Sequence, residues 1–212
     1  MAKVLLGLTT YKQNVHRACT FALARAISYA EQVGDALLQY PESGDGAGIA
    51  KNRNDLIVEA ARRECDAVWF VDADVEVPVS ALCRLLEVDT EVVSGLTPLR
   101  QLPMVYMVRH ATLGIVAPLE LVEQDPTGPW LTGASCLLVR RSAWERIPRP
   151  WFQWVEESAS GGGTSEDLFF ARRARATKGV RCVLVPAVKC AHWDGRQRFP
   201  PLVEEARDAA AS

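Results

Sequence analysis

The sequence predicts an α/β fold, an open sheet covered by helices within one domain, and three observations carry that prediction. Short apolar runs alternate with amphipathic helical stretches from Val4 to Leu96. One run, Ala67-Val68-Trp69-Phe70-Val71, is apolar without a break, the mark of a strand buried on both faces. The 212 residues, 49% of them hydrophobic, suffice for one core that buries about 70% of the surface of the unfolded chain.

The elements follow in order. Val4 to Leu8 reads as a buried strand with Thr9-Thr10-Tyr11 as its exit loop. From His16 to Gln32, Cys19, Leu23, Ala26, Ile27 and Ala30 recur at helical spacing, and Gly34 is the stop signal. Ala36 to Tyr40 is a second strand ended by Pro41, and the Gly-rich stretch 42–48 is a loop. Ile49 to Arg63 is a helix with Leu56, Ile57 and Ala60 facing inward. The strand Ala67–Val71 stops at Asp72-Ala73-Asp74. Pro78 and Ser80 open a helix through Leu86, and Glu91 to Leu96 is the fourth strand. This alternation implies right-handed parallel crossovers. After Pro98 the rhythm changes. Met104 to Val108 and Leu119 to Val122 read as a β pair, Ala134 to Val139 as a strand and Ser142 to Ile147 as a short helix. Gly161-Gly162-Gly163 and Thr164-Ser165 lead into a helix reaching about Thr177, and Val180 to Val185 is a last strand. With no repeat or linker, residues 1–199 form one unit, with halves 1–97 and 98–199, and 200–212 form a peripheral tail.

A net charge of −2, from 24 basic and 26 acidic residues, excludes an overall basic nucleic-acid binder. The composition also excludes a disordered chain, a collagen-like repeat and a disulfide-stapled miniprotein. Residues 1–129 hold 11 Lys and Arg against 17 Asp and Glu, whereas 130–200 hold 12 against 6. That asymmetry suits a site for a metal and an anionic ligand, although charge alone is equally met by solvated helix faces. The amino terminus lacks a signal-peptide pattern, and no stretch approaches the roughly 20 apolar residues that span a bilayer. Six scattered cysteines without a C-x-x-C imply reduced, mostly buried thiols. The expectation is a soluble cytoplasmic protein.

Four groups of residues carry chemistry. A strand buried on both faces has no reason of its own to end in Asp72 and Asp74. Beyond the carboxyl ends of strands, where open sheets bind ligands, two carboxylates suit a hard divalent cation. Taken alone, the pair is equally a solvated turn. Ser165-Glu166-Asp167 reads as an N-cap with first-turn acids, or as a general base at the rim of a cleft. His192 is a surface histidine, or the nitrogen ligand that joins carboxylates around Mn²⁺ or Mg²⁺. Lys51-Asn52-Arg53-Asn54 is surface charge at a helix start, or a phosphate-binding end.

Taken together, their order is the specific feature: Thr9-Thr10-Tyr11, Arg53-Asn54, Asp72-Ala73-Asp74, Thr132-Gly133-Ala134-Ser135, Glu166-Asp167 and His192-Trp193. This series resembles the GT-A glycosyltransferases, in particular the family-2-like group with D-x-D, E-D and late-histidine motifs, over residues 3 to 194. The resemblance implies a Rossmann-like open mixed sheet, with 1–97 binding a nucleotide sugar and 98–199 holding the acceptor and the catalytic groups. It implies that Thr9, Thr10, Tyr11, Arg53, Asn54, Asp72, Ala73 and Gly133 bind the donor. Asp74 and His192 would ligate Mn²⁺ or Mg²⁺, with Asp72 touching the metal or the ribose. Asp167 would be the base of an inverting transfer from a nucleotide-diphosphate sugar, UDP-sugars being favoured, with Glu166 beside it. Trp130, Trp151 and Trp154 are candidates for stacking on an acceptor, and core packing competes for the tryptophans beside Pro148 and Pro150. The acceptor is a glycan, a protein or modified DNA bases of the phage type. For DNA, Arg140, Arg141, Arg146, Arg149, Arg172, Arg173, Arg175 and Arg181 would track phosphates; the preferred alternative is solvated helix faces plus contacts to the diphosphate.

Two rival readings place the same residues elsewhere. Phosphohydrolases of the haloacid-dehalogenase type also carry D-x-D after an apolar strand, but there it opens the domain and runs into Gly-Thr. Here two strand–helix units precede it and Val75-Glu76-Val77-Pro78 follows. A non-catalytic module that keeps the fold would have no need of the acids, the E-D pair and the histidine together.

Overall fold

The computed structural model describes residues 1–10, 15–40, 48–101, 104–156 and 163–201. Its first half runs β1 (Ala2–Thr9), α1 (Arg17–Gln32), β2 (Ala36–Gln39), α2 (Ile49–Arg62), β3 (Ala67–Asp72), β4 (Val75–Glu76), α3 (Ala81–Glu87) and β5 (Val92–Leu96). The second half continues β6 (Val108–His110), α4 (Leu119–Gln124), β7 (Trp130–Thr132), β8 (Cys136–Arg140), α5 (Arg141–Trp144), β9 (Val155–Glu156) and β10 (Gly163–Thr164). It closes with α6 (Glu166–Ala176), β11 (Cys182–Lys189), β12 (Ala191–Trp193) and β13 (Arg198–Phe199).

Six strands form the central sheet in the order β11-β5-β8-β3-β1-β2. β1 runs parallel to β2 and β3, and β5 parallel to β11, while β8 lies antiparallel between β3 and β5. The architecture is therefore the expected open mixed α/β sheet. Because β8 comes from the second half and sits between strands of the first, the two halves share one sheet.

Alternation along the strands divides the core into two layers. Val4 and Leu6 of β1 and Trp69 and Val71 of β3 pack on one face with Leu23, Ala26 and Ala30 of α1 and Leu82 and Leu85 of α3. Leu5, Val68 and Phe70 point the other way, onto Ile57 and Ala60 of α2 and Phe170 and Ala174 of α6, with Trp151 and Phe152 filling that layer. Buried on both faces, β3 must be apolar until it leaves the sheet. Gly34, at φ +77°, ends α1 in the conformation that glycine adopts without strain.

Two local readings are corrected. Leu119 to Val122 is the start of helix α4 rather than a strand, and β6 pairs with β7 instead. Pro118 precedes that helix, Glu120 sits in its first turn, and Val122 is buried while Leu121 is exposed, a helical rather than an alternating pattern. The small sheet β13-β12-β4 has no counterpart among the expected elements. Its strands are only two or three residues long, too short for a periodicity signal. Tyr11, the loop at 42–47, Gly161-Gly162 and the tail from 202 lie outside the described residues.

All six cysteines are free thiols and five are buried. Burial pushes Cys19 up to about 12 and Cys83 and Cys182 to about 11, so these three stay protonated and unreactive at neutral pH. Among the described residues, no helix is long and apolar enough to cross a membrane.

Candidate active site

The carboxyl ends of β1 and β3 meet in register, Thr9 opposite Asp72. Thr9 Oγ1 donates a hydrogen bond to Asp72 Oδ1, and Arg53 Nη2 donates to the same oxygen at 2.6 Å. The chain then turns: Ala73 N donates to Thr9 O at 3.0 Å, and β4 pairs antiparallel with β12, Val75 opposite His192. Trp193 N donates to Asp74 O at 2.9 Å. This small sheet is what carries a histidine from near the carboxyl end of the chain to the Asp72-Ala73-Asp74 turn.

His192 is buried, with Nδ1 2.8 Å from the carbonyl oxygen of Pro98. A carbonyl only accepts, so Nδ1 carries a proton and Nε2 is the ring nitrogen turned toward Asp74. Nε2 is 3.6 Å from Asp74 Oδ1, too long for a hydrogen bond and short enough to share a cation. Burial pushes the Asp74 carboxyl up, but His192 and Arg100 more than offset this and the net direction is down, so Asp74 is a carboxylate. Metals held by N and O ligands at about 2.0–2.1 Å fit between atoms at that spacing. The donor set therefore fits a divalent cation, and the bond from Pro98 is the kind of outer support that fixes a ligating imidazole. Asp72, expected as a further ligand, stands apart from the pair, its Oδ1 accepting from Thr9 and Arg53. Among the described residues no group of three His, Cys, Asp or Glu forms a metal cluster. A two-ligand site leaves most positions to water and phosphate oxygens, the usual habit of Mg²⁺.

Arg53 lies beneath this turn, its side chain 1% exposed. Its guanidinium joins Asp72 to Glu166 Oε1 and lies 5.6 Å from the centroid of the Phe152 ring. Expected at the donor, it instead spans two carboxylates in the interior. Burial pushes the Glu166 carboxyl up, and Arg53 holds part of that rise back. Glu166 is thus anchored inward, whereas its neighbour Asp167 faces a cavity.

That cavity, of about 150 Å³, is lined by Asp167, Ser165, Gly133, Leu99, Tyr106, Met107, Val108, Arg109, Val116 and Leu168. Ser165 precedes α6 but makes no side-chain cap bond; its hydroxyl donates to Asp167 Oδ1, which also accepts from Leu168 N at 2.7 Å. Oδ2 faces Gly133, where a Cβ would come within 3.0 Å of it and 3.1 Å of Met107 Cε. Glycine leaves room there for the close approach of the carboxylate, and a side chain would press on it and on Met107.

Three expectations are corrected by packing. Asn54 does not face a ligand: its Oδ1 accepts from Trp151 N at 3.0 Å and Phe152 N at 3.2 Å, and its Nδ2 donates to Ala50 O and Phe152 O. Trp151 is buried, its Nε1 donating to Trp144 O and Ile147 O. Trp130 is buried in a smaller cluster with Leu96, Tyr106, Val108 and Val122, and its Nε1 donates to Asp125 O at 2.6 Å. An indole whose N–H must be satisfied inside the core is unavailable for stacking on an acceptor. Trp154 is 59% exposed. Ala73 is buried in the turn, and Thr10, following β1, is half-buried.

The eight arginines considered for a phosphate backbone are engaged within the protein. Arg140, Arg141, Arg146, Arg173 and Arg175 donate to backbone carbonyls. Arg172 donates to Thr164 Oγ1, Arg181 to Glu91 and Asp89, and Arg149 stacks on Trp151. Sequence reasoning missed Arg100, whose Nη1 lies 3.0 Å from Asp74 Oδ2. It also missed the stack of His16 on Trp193, with ring centroids 4.1 Å apart. The position of Pro98-Leu99-Arg100, just past the carboxyl end of a strand, was the available signal for the first.

No protein-family model matches the sequence, and no curated protein does. Among solved structures the chain is similar to A197 from STIV, with a TM-score of 0.57 and 17% identity, covering 99% of this chain and 98% of that one. It is also similar to a glycosyltransferase involved in the glycosylation of the major capsid of PBCV-1, at TM-score 0.46 and 12% identity over 88% of this chain and 82% of that one. GalNAc-T7 with UDP, GalNAc and Mn²⁺ follows at TM-score 0.46 and 11% identity, over 91% of this chain and 44% of that one. The first likeness is one of fold.

Proposed function

We propose that the chain is a metal-dependent glycosyltransferase that moves a sugar from a nucleotide-diphosphate donor, a UDP-sugar being favoured, to an acceptor hydroxyl. The observation that carries this reading is the meeting of Asp74 Oδ1 and His192 Nε2 at 3.6 Å, with the imidazole turned toward Asp74 by its bond to Pro98. Asp74 and His192 would hold Mn²⁺ or Mg²⁺, which when bound neutralises the charge of the departing diphosphate. Asp72, pinned by Thr9 and Arg53, borders the same turn and is available to the donor ribose.

Asp167 is the base. It takes the proton of the acceptor hydroxyl as that oxygen attacks the anomeric carbon, while the carbon–oxygen bond to the diphosphate breaks and the nucleotide leaves with the electron pair. Attack from the side opposite the leaving group inverts the anomeric centre. What supports this assignment is the contrast between neighbours: Arg53 holds Glu166 inward, while Asp167 lines a cavity large enough for the end of an acceptor. Leu99 lines that cavity one residue from Pro98, so the base and the metal pair share one segment of support.

A thermal-shift panel of nucleotide diphosphates and sugars, with and without Mn²⁺, tests the reading. The matching donor at a hundred times its Kd stabilises the native state by about 2.7 kcal/mol, or about 6 °C for a chain of this size. The shift should require Mn²⁺ and vanish in Asp74→Asn, whereas Asp167→Asn should keep the shift and lose turnover. A panel in which no nucleotide sugar moves the transition, with or without metal, rejects the proposal.

A further inference from the structure

Among the described residues, Arg100 is a cation in direct contact with Asp74 of the proposed metal pair, and its place in the fold gives it a second task. It ends the segment Pro98-Leu99-Arg100 that leaves β5. Pro98 O orients His192, Leu99 lines the Asp167 cavity and Arg100 reaches Asp74. Its Nη1 is 3.0 Å from Asp74 Oδ2 and 3.4 Å from Trp193 O, and its side chain is 46% exposed. Arg53, by contrast, is locked in the interior between two carboxylates. Arg100 is therefore a long, solvent-reaching cation whose carboxylate partner is the one a divalent cation would take.

We infer that Arg100 is a donor-diphosphate ligand: it neutralises Asp74 while the site is empty of metal and transfers to the phosphates once a divalent cation is bound there. The inference rests on the proposed function and adds a residue to that site. A guanidinium and a divalent cation on one carboxylate repel each other, so metal binding weakens the bond that holds Arg100. The freed guanidinium presents planar, paired donors that match phosphate oxygens two at a time. The diphosphate is the anion that metal binding brings to this spot. Arg100 and the metal then neutralise it from different directions, and Arg100 strengthens the hold on the leaving group as charge develops there.

The competition predicts effects of opposite sign, which a static surface ion pair does not. Mn²⁺ binding is followed by electron paramagnetic resonance of the free ion, and inorganic pyrophosphate binding to the Mn²⁺-saturated protein by calorimetry. Arg100→Ala should bind Mn²⁺ about 3- to 10-fold more tightly, because its competitor is gone, and pyrophosphate at least about 10-fold more weakly. Arg100→Lys, which keeps the charge but not the fork, should bind Mn²⁺ much as the parent does and pyrophosphate about 3-fold more weakly. If Arg100→Ala leaves pyrophosphate affinity unchanged, or weakens Mn²⁺ binding, Arg100 is only the partner of Asp74 and the inference fails while the metal site stands. A parent protein that binds no Mn²⁺ overturns both this inference and the proposed function. Unchanged thermal transitions of the unliganded variants confirm that the comparison is between folded proteins.

Discussion

Replacing Arg53 by methionine probes the interior on which the site is built. Methionine keeps much of the stem but removes the guanidinium, and with it the contact over the Phe152 ring and the charge between Asp72 and Glu166. Asp72 retains Thr9 as a donor and is partly exposed, so its loss is modest. Glu166 is the costly partner, because its side chain is only 5% exposed and burial already pushes its carboxyl up. Removing one member of a buried pair costs about 3–5 kcal/mol. Among the described residues Arg53 Nε is buried without a partner, and losing that atom returns part of the cost, which favours the lower end. With an unfolding entropy of about 0.45 kcal/mol/K at this length, the transition should fall by about 7–11 °C at neutral pH. Circular dichroism at a fixed scan rate, supported by urea midpoints, measures it. Adding Glu166→Gln should recover a substantial part, because no buried carboxylate then lacks its counter-charge. A drop below about 2 °C, or a double variant whose loss equals the sum of the single ones, would show that Arg53 is not the buried counter-charge described here.

Other substitutions separate packing from chemistry. Asn54→Ala strips the acceptor from Trp151 N and Phe152 N and should cost about 2–4 kcal/mol, read as a fall of about 4–9 °C, with donor affinity unchanged; weakened donor binding with normal stability would return Asn54 to the donor site. Gly133→Ala crowds Asp167 Oδ2 and Met107, so turnover should fall about 3- to 10-fold with nucleotide affinity intact, and an unchanged kcat would argue against Asp167 as the base. The pH profile carries two slopes of opposite sign. Glu166 has a raised folded-state pKa, so the folded state binds its proton more readily; its contribution is present below the ordinary 4.5 and lost as pH rises through the folded value. Asp74 is lowered, so its contribution is present above the ordinary 3.8 and lost as pH falls through the folded value. Glu166→Gln should flatten the first slope and Asp74→Asn the second in melting curves taken from about pH 3 to 7.

Most of the sheet and its covering helices were legible because their signals are local. Burial on both faces demands the run Ala67–Val71, and helix α1 shows its apolar stripe within a few turns. Leu119 to Val122 was misread because four residues hold too little of either period to tell a strand from a helix. The candidate residues were legible as residue types: carboxylates after an apolar strand, an acidic pair opening a helix, a histidine after the last strand. Their partners were not. That Arg53 would turn inward to Glu166, or that Asn54 would clamp the backbone at Trp151 and Phe152, depends on contacts between segments about 100 positions apart in sequence.

The sequence by itself therefore determined the alternation of strands and helices, the buried third strand and the inventory of chemical groups. Tertiary structure alone decided which of those groups meet. Hydrophobic periodicity is written along the chain at spacings of two to four residues. Convergence is set by strand register, and it was the pairing of Val75 with His192 that brought an imidazole to Asp74.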